Sequence, residues 1–319
     1  MKLKHYLLGL ACCLTLGAAA QTYPSKPIRL IVPFPPGGAT DILSRALSQE
    51  MGKKLNQSVI IENKPGAGGT IGALAGAQAA PDGYSLLLTT TSTHSIGPAL
   101  NPRIPYNPET DFTPIVYVAN SPQIILVPLS SPAKNLSEFI EHARRNPGRL
   151  NYASSGNGTI SNLSTEVFKA QSGTFMVHIP YRGTGLSISD LISGKVDVLF
   201  DSVVSGMPHV RDGKLRALAV TSLKRSALAP NLPAVSEVLP GFESVTWFGI
   251  YGPKNLPAEV VSKVNQAVNA ALAEPDLKER FLRLGAEPTG STPQAFASLV
   301  RADHAKWKKI ITERKIGSE

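Results

Sequence analysis

Residues 28–51 read IRLIVPFPPGGATDILSRALSQEM, from Ile28 to Met51. Ile28 to Val32 is a short run of branched apolar residues and predicts a buried strand. Pro33-Phe34-Pro35-Pro36-Gly37-Gly38 is a stiff loop, unsuited to the interior of a strand or a helix. From Thr40 to Met51, Ile42, Leu43, Ala46 and Leu47 fall on one face of a helix. Strand, tight loop and helix in this order predict the first half of a βαβ unit.

The pattern continues outward from this stretch. Val59-Ile60-Ile61 reads as a second strand, Pro65-Gly66-Ala67-Gly68-Gly69 as a loop, and Ile71 to Ala80 as a helix of small residues. Pro81-Asp82-Gly83 makes a turn before a strand from Ser85 to Thr89. Right-handed crossovers and a parallel sheet follow. The middle of the chain repeats the order. Strands are expected at Gln123–Val127, Asn151–Ala153, Val177–Ile179, Val196–Phe200 and Leu215–Thr221. Helices are expected from Ser137 to Arg145, from Ser161 to Gln171 and from Ser187 to Ile192. After a strand at Trp247–Tyr251 the tail is helical, with Val264, Val268, Phe296, Val300, Trp307 and Ile311 in apolar stripes that read as core contacts. The fold class is α/β, with enough length for two domains.

The chain has 319 residues, 42% of them hydrophobic and 17% charged, which excludes wholesale disorder. Lys2 and Lys4 precede an apolar run from Tyr6 to Leu16 and the small residues Ala18-Ala19-Ala20. Residues 1–20 therefore read as a Sec signal peptide cleaved before Gln21, which places the protein in the periplasm. Leu10-Ala11-Cys12 raises a lipoprotein signal as the rival, but Gly9 is a poor start for such a box and no lipid anchor is expected. Both cysteines, Cys12 and Cys13, lie inside the signal, so the exported chain has no thiol for disulfides or metal binding. Without Lys2 and Lys4 it has 30 basic and 23 acidic residues, a formal +7. The densest basic cluster, Lys306, Lys308, Lys309, Arg314 and Lys315, reads as the solvated face of a terminal helix, and no nucleic-acid partner is expected.

Two loops could hold a ligand. Pro36-Gly37-Gly38-Ala39-Thr40-Asp41 lies between the end of a strand and the start of a helix, where the first amides have no partner within the helix. With the helix dipole, those amides make a seat for a carboxylate or phosphate that needs no lysine. The bland alternative is a plain turn with Asp41 as a capping residue. Ser154-Ser155-Gly156-Asn157-Gly158-Thr159 occupies the same place in the second half, with Ser161 as the alternative cap. Ligands of open parallel sheets bind at the carboxyl ends of strands, so the two loops can face each other across a cleft. Thr90, Thr91, Ser92 and Thr93, then Tyr181-Arg182-Gly183-Thr184, and then Asp201-Ser202 also follow strand ends.

Several enzyme signatures fail. Gly66-Ala67-Gly68-Gly69-Thr70-Ile71 resembles the dinucleotide fingerprint, but Ile71 stands where Gly or Ala is required. There is no phosphate-binding G-x-x-x-x-G-K-[ST] and no G-x-S-x-G nucleophile elbow. His94, His142, His178, His209 and His304 show no metal-ligand spacing. No cofactor is expected.

The ordered segments Tyr23-Pro24-Ser25-Lys26-Pro27, Val32 to Asp41, Glu62-Asn63-Lys64-Pro65-Gly66-Ala67-Gly68-Gly69, Ala80-Pro81-Asp82-Gly83-Tyr84, Asp111-Phe112-Thr113-Pro114-Ile115, Ile179-Pro180-Tyr181-Arg182-Gly183 and Trp247-Phe248-Gly249 carry a family resemblance. The chain resembles the extracytoplasmic substrate-binding proteins of tripartite tricarboxylate transporters, the Bug family. The resemblance implies a type II periplasmic-binding-protein fold, two lobes with a ligand cleft between them. Residues 21–122 and 246–319 would form lobe 1 and residues 123–245 lobe 2. It implies a monomer that captures a small carboxylate (a di- or tricarboxylate, an acidic amino acid or an aromatic acid) and delivers it to the membrane permease subunits. Binding would rest on backbone amides and ordered water, with Phe34, Pro36, Gly37, Gly38, Ala39, Thr40, Asp41, Ser92, Thr93, Ser155, Gly156, Asn157, Gly158, Thr159, Tyr181 and Asp201 around the ligand. At Asn162 the family often has histidine, near the ligand's distal end. Two other readings stand beside this one. One is a secreted α/β enzyme acting on a small acid with Asp41, His94 or Asp201 as base, and the other a periplasmic sensing module.

Overall fold

The structure, a computed structural model, describes residues 23–317. The expectations for the signal peptide, the lipid anchor and Cys12 and Cys13 lie outside the described residues. The strands are β1 (Ile28–Val32), β2 (Val59–Asn63), β3 (Ser85–Thr90), β4 (Phe112–Pro128), β5 (Asn151–Ser154), β6 (Val177–Pro180), β7 (Val198–Ser202), β8 (Leu215–Val220), β9 (Val245–Pro253) and β10 (Glu287–Pro288). The helices are α1 (Ala39–Leu55), α2 (Thr70–Ala77), α3 (Gly97–Leu100), α4 (Leu136–Arg145), α5 (Ile160–Ser172), α6 (Thr184–Ile192), α7 (Val203–Arg211), α8 (Ala258–Ala273), α9 (Pro275–Leu284) and α10 (Pro293–Glu313).

The strands run in the order β2-β1-β3-β9-β4-β7-β5-β6, with β8 and β10 also pairing β4. The β1–β2, β1–β3, β5–β6 and β5–β7 pairs are parallel, as the alternation of strands and helices requires. β4 and β9 run antiparallel to their neighbours. Up to Pro122, β4 pairs with β9; from Gln123 it pairs with β7. One strand thus belongs to both sheets and joins the two lobes.

This strand differs from the expectation of a short one at Gln123–Val127. Pro114 and Pro122 break the sequence pattern over residues 112–122. The structure accommodates one of them beside a register shift between Pro114 and Val116, and a second shift falls between Tyr117 and Ala119. Thr221 ties the crossing to the chain's return. Its amide donates to Gln123 O at 2.9 Å, its hydroxyl accepts from Gln123 N at 2.8 Å, and Ser244 N donates to Thr221 O at 2.8 Å.

Each sheet is covered on both faces, so its strands read as continuous apolar runs. Ile28, Leu30, Leu86 and Leu88 pack under α1, α8 and α9 against Leu43, Leu47, Val264 and Phe281, while Ile31 and Leu87 turn to Trp247, Tyr251 and Phe296. In the second lobe the two-residue period of β4 is plain. Ile125 and Val127 join Phe139, Phe168 and Phe200 beneath α4 and α5, and Ile124 and Leu126 join Ile188, Leu191 and Val203 beneath α6 and α7. Trp307 and Ile311 of α10 also pack into the Phe139–Phe168 cluster.

Two helices differ from the sequence reading. α4 starts one residue before Ser137. Its cap is Asn135, whose side chain accepts from Glu138 N while the Glu138 carboxylate accepts from Asn135 Nδ2 and Lys134 N. α7 carries Gly206 and Pro208 and was not anticipated at all. After β3, Ser92–Ile96 forms a buried π-helical turn.

Candidate functional site

Four helices point their N-termini at one cavity between the lobes. Gly38, Ala39 and Thr40 come from the start of α1, Ile160 and Ser161 from α5, Thr184 from α6, and Ser202 is the cap of α7. The first bond within α1 runs from Ile42 N to Gly38 O, so the amides of Ala39, Thr40 and Asp41 precede it. Each N-terminus carries roughly half a positive charge and favours an anion by roughly 0.3–1 kcal/mol, more where water is excluded. No Lys, Arg or His lines the cavity, and its one titratable group is Asp201. Phe34 and Phe248 supply apolar walls, and Thr90, Ser92, Gln123, Ser155 and Thr246 supply hydroxyls and an amide. The cavity measures about 50 Å³. Where one water takes roughly 10–15 Å³, that admits a few heavy atoms, so a citrate-sized ligand needs the lobes to part further.

The lobes are in contact around this cavity. Ile160 N donates to Ser92 Oγ at 3.0 Å across them. A Cβ on Gly68 would lie 2.6 Å from Asn157 O, and one on Gly183 2.3 Å from Pro35 Cγ. Only glycine permits approaches this close.

Of the residues expected around a ligand, Phe34, Gly38, Ala39, Thr40, Ser92, Ser155 and Asp201 line the cavity. Gly156, Asn157 and Tyr181 line the groove beside it, about 260 Å³, which shares Phe34 and Ser155. Pro36, Gly37, Asp41, Thr93, Gly158 and Thr159 line neither, Pro36 and Gly37 being exposed to solvent. Thr159 caps α5 by position and its hydroxyl donates to Gly156 O at 2.6 Å. Thr93 Oγ1 accepts from Thr90 N. Asn162, expected near the ligand's distal end, is instead occupied inside its own lobe: its Oδ1 accepts from Gly158 N and its Nδ2 donates to Tyr152 OH. Thr90, Thr184 and Ser202, which the sequence reading places after strand ends, also line the cavity. Gln123, Ile160, Ser161, Thr246 and Phe248 line it without having been expected there. Gln123, Thr246 and Phe248 sit on the strands that join the lobes and carry no local signature.

Asp41 is a clasp. Its carboxylate accepts from Gly37 N at 3.1 Å, Arg45 Nε at 3.0 Å and Asn63 Nδ2 at 2.9 Å. Burial works to raise this carboxyl, but the Arg45, Gly37 and Asn63 hydrogen bonds and the Arg45 charge outweigh it and hold it below its usual range. The α1 cap itself is Gly38. Asp201 behaves oppositely. Burial pushes its carboxyl up to about 7, against the Ser205 hydroxyl, the Ser202 N–H and the Thr184 hydroxyl, and its Oδ2 is buried without a hydrogen-bond partner. His94 lies away from the cleft, its ring 4.6 Å from those of Phe112 and Tyr251. Burial pulls it down to about 3. It faces a separate cavity of about 170 Å³ within lobe 1, on which no helix N-termini converge.

Comparison with known proteins bears on this geometry. Residues 43–316 match the model of the tripartite tricarboxylate transporter family receptor, TctC. A structure of the periplasmic binding protein BugD is 35% identical, covers 93% of this chain and all of its own, and superposes with a TM-score of 0.90. Rpa4515 of R. palustris with adipate is 33% identical over 92% of this chain and 99% of its own, with a TM-score of 0.90. MatC (Rpa3494) from Rhodopseudomonas palustris with bound malate is 34% identical over 91% of this chain and all of its own, with a TM-score of 0.87.

Proposed function

The chain belongs to the tripartite tricarboxylate transporter receptor family, and from that premise we propose that it is a periplasmic solute-binding protein. It captures a small carboxylate between its lobes and hands it to the membrane permease subunits of such a transporter. The observation that carries this reading is the convergence of four helix N-termini on a cavity without a basic side chain. Dipoles and unpaired amides attract a carboxylate there without the long-lived charge pairing that would slow its release. Two relatives are solved with adipate and with malate, which supports a dicarboxylate of short to medium length as the ligand. Gly38, Ala39, Thr40, Ser155 and Ser161 hold the first carboxylate, and Phe34 and Phe248 pack along the carbon chain.

Residues 21–122 and 246–319 act as one moving body and 123–245 as the other, hinged where β4 changes partners. The protein works as a monomer, exported by residues 1–20. Among the described residues no helix is long and apolar enough to cross a membrane. The enzyme reading loses two of its three candidate bases: Asp41 is held by three donors, and His94 is turned away from the cleft, which leaves only Asp201 facing a ligand.

The test is a thermal-shift screen of mono-, di- and tricarboxylates, aromatic acids and acidic amino acids. A true ligand at a hundredfold excess over Kd stabilises by about 2.7 kcal/mol. Dicarboxylates are expected to give the largest shift. Uniform absence of a shift across the acids contradicts the reading.

A further inference from the structure

Asp201 is an acid at the centre of a site that gathers acids. It lines the cavity, is 5% exposed, and its Oδ2 is buried with no partner. It stands at the end of β7, paired to Ile124 of β4. The groups that face it are Gln123 and Ile124 from β4, Thr184 from α6, and Ser202 and Ser205 at the start of α7, none of them charged. The titratable residues of those helices, Asp190, His209 and Arg211, lie in their last turns, and Asp41 is held by Arg45 behind the α1 loop. No charged side chain faces Asp201 to balance it once an anionic ligand is enclosed with it, and the α6 and α7 N-termini and the Ser202, Ser205 and Thr184 donors offset its burial only in part. Two carboxylates in one closed site cannot both stay ionised, and the accepted solution is one proton between them.

We propose that Asp201 recognises the second carboxylate of a diacid through a shared proton, so that ligand capture takes up one proton from solution. This rests on the reading of the cleft as a carboxylate site and deepens it. The balance is simple. The Asp201 carboxylate and one proton from water become a carboxylic acid whose O–H donates to a ligand oxygen; no other bond forms or breaks, and opening of the lobes returns the proton. Helix N-termini hold one end of the ligand and the Asp201 acid holds the other. A ligand entering as a dianion then leaves the closed cavity with one negative charge fewer. Burial, which already favours the acid form of Asp201 in the closed protein, works in the same direction.

The test is calorimetric titration of the exported chain with malate and with adipate at about pH 8, where a free carboxyl of ordinary or moderately raised pKa is ionised, in two buffers of different ionisation enthalpy. The expected result is uptake of about one proton per ligand, and a Kd that weakens about tenfold per pH unit above the pKa of the free protein. Asp201→Asn, nearly isosteric and still a donor through Nδ2, is expected to bind within a few fold of the wild type with no proton uptake and a flat pH profile. Asp201→Ala is expected to bind at least tenfold more weakly. Binding to the wild type without proton uptake, or uptake that persists in Asp201→Asn, overturns this proposal alone. Failure of every carboxylate to bind overturns it together with the reading of the cleft.

Discussion

Asp41, His94, Asp201 and Gly38 all lie at or after the ends of strands, yet they divide sharply in what they do. Gly38 opens onto the cavity, and a Cβ there would sit 3.8 Å from both Pro35 O and Thr184 Oγ1, ordinary contact distance. Gly38→Val is therefore expected to fold with little change in Tm while its methyl groups fill the space the ligand head needs. Calorimetry should show at least a tenfold loss of affinity for the best acid of the screen, and unchanged affinity would contradict the placement of the site. His94 and Asp201 make a second prediction through proton linkage. His94 is depressed from 6.5 to about 3, so its contribution to stability is complete above 6.5 and is lost as pH falls toward 3. Asp201 is raised from 3.8 to about 7, so its contribution is complete below 3.8 and is lost as pH rises through 7. Between about 4 and 6.5 the two slopes, each about 1.4 kcal/mol per pH unit, oppose one another. Urea denaturation of the ligand-free protein should show His94→Gln losing stability and Asp201→Asn gaining it, relative to wild type, as pH rises across that window. Parallel profiles for all three proteins would refute the assignment. The glycine loops were legible in the sequence because their chemistry lies in the backbone and in their place at strand ends. The separation of Asp41 from Asp201 was not, because both are aspartates near loop ends and only packing decides which one meets a cation and which is buried with an oxygen left unpartnered.

At the scale of elements, β1 emerges with the limits read from its apolar run, and β3 and α5 fall within a residue or so of expectation. Continuous burial on both faces makes such strands legible. β4 was only partly legible, since its prolines are tolerated beside shifted register rather than excluded. α7 was missed because Gly206 and Pro208 suppress the helical pattern, while Val203, packed under the second sheet, and Val204, packed into the core of the first lobe, hold it in place. The joint between β9 and α10 gives the third prediction. Gly249 on β9 lies flat against the ring of Phe296, and an added Cβ would stand 2.1 Å from Phe296 Cζ. Phe296 is fully buried among Trp247, Tyr251 and Val300 and cannot move aside. Gly249→Ala should cost about 1–3 kcal/mol in chemical denaturation, with the ligand affinity of the folded fraction preserved. A wild-type midpoint in the variant would show that this contact is not close-packed.

For the whole molecule, two α/β lobes share one long strand, and the loops at the carboxyl ends of their parallel strands meet over a small cavity. The pairing of Gly68 with Asn157 and of Gly183 with Pro35 describes lobes in contact. A ligand larger than a few atoms enters only when those contacts separate, so capture is an opening and closing of the two bodies about β4 and β9. On the proposed reading, closure is driven by helix dipoles that gain more from an anion once water is squeezed out. The lobes were foreseeable from the repeated βαβ order. The convergence of α6 and α7 with α1 and α5 was not, because it depends on how the second sheet stacks against the first, which no local pattern encodes. The most direct measurement is a crystal structure of the exported chain with malate or adipate. One carboxylate is predicted within hydrogen-bond distance of the Ala39 and Thr40 amides of α1 and the Ser161 amide of α5, with the other beside Asp201. A ligand seated in the cavity beside His94 and Tyr251, or on the outer surface of either lobe, would contradict the account.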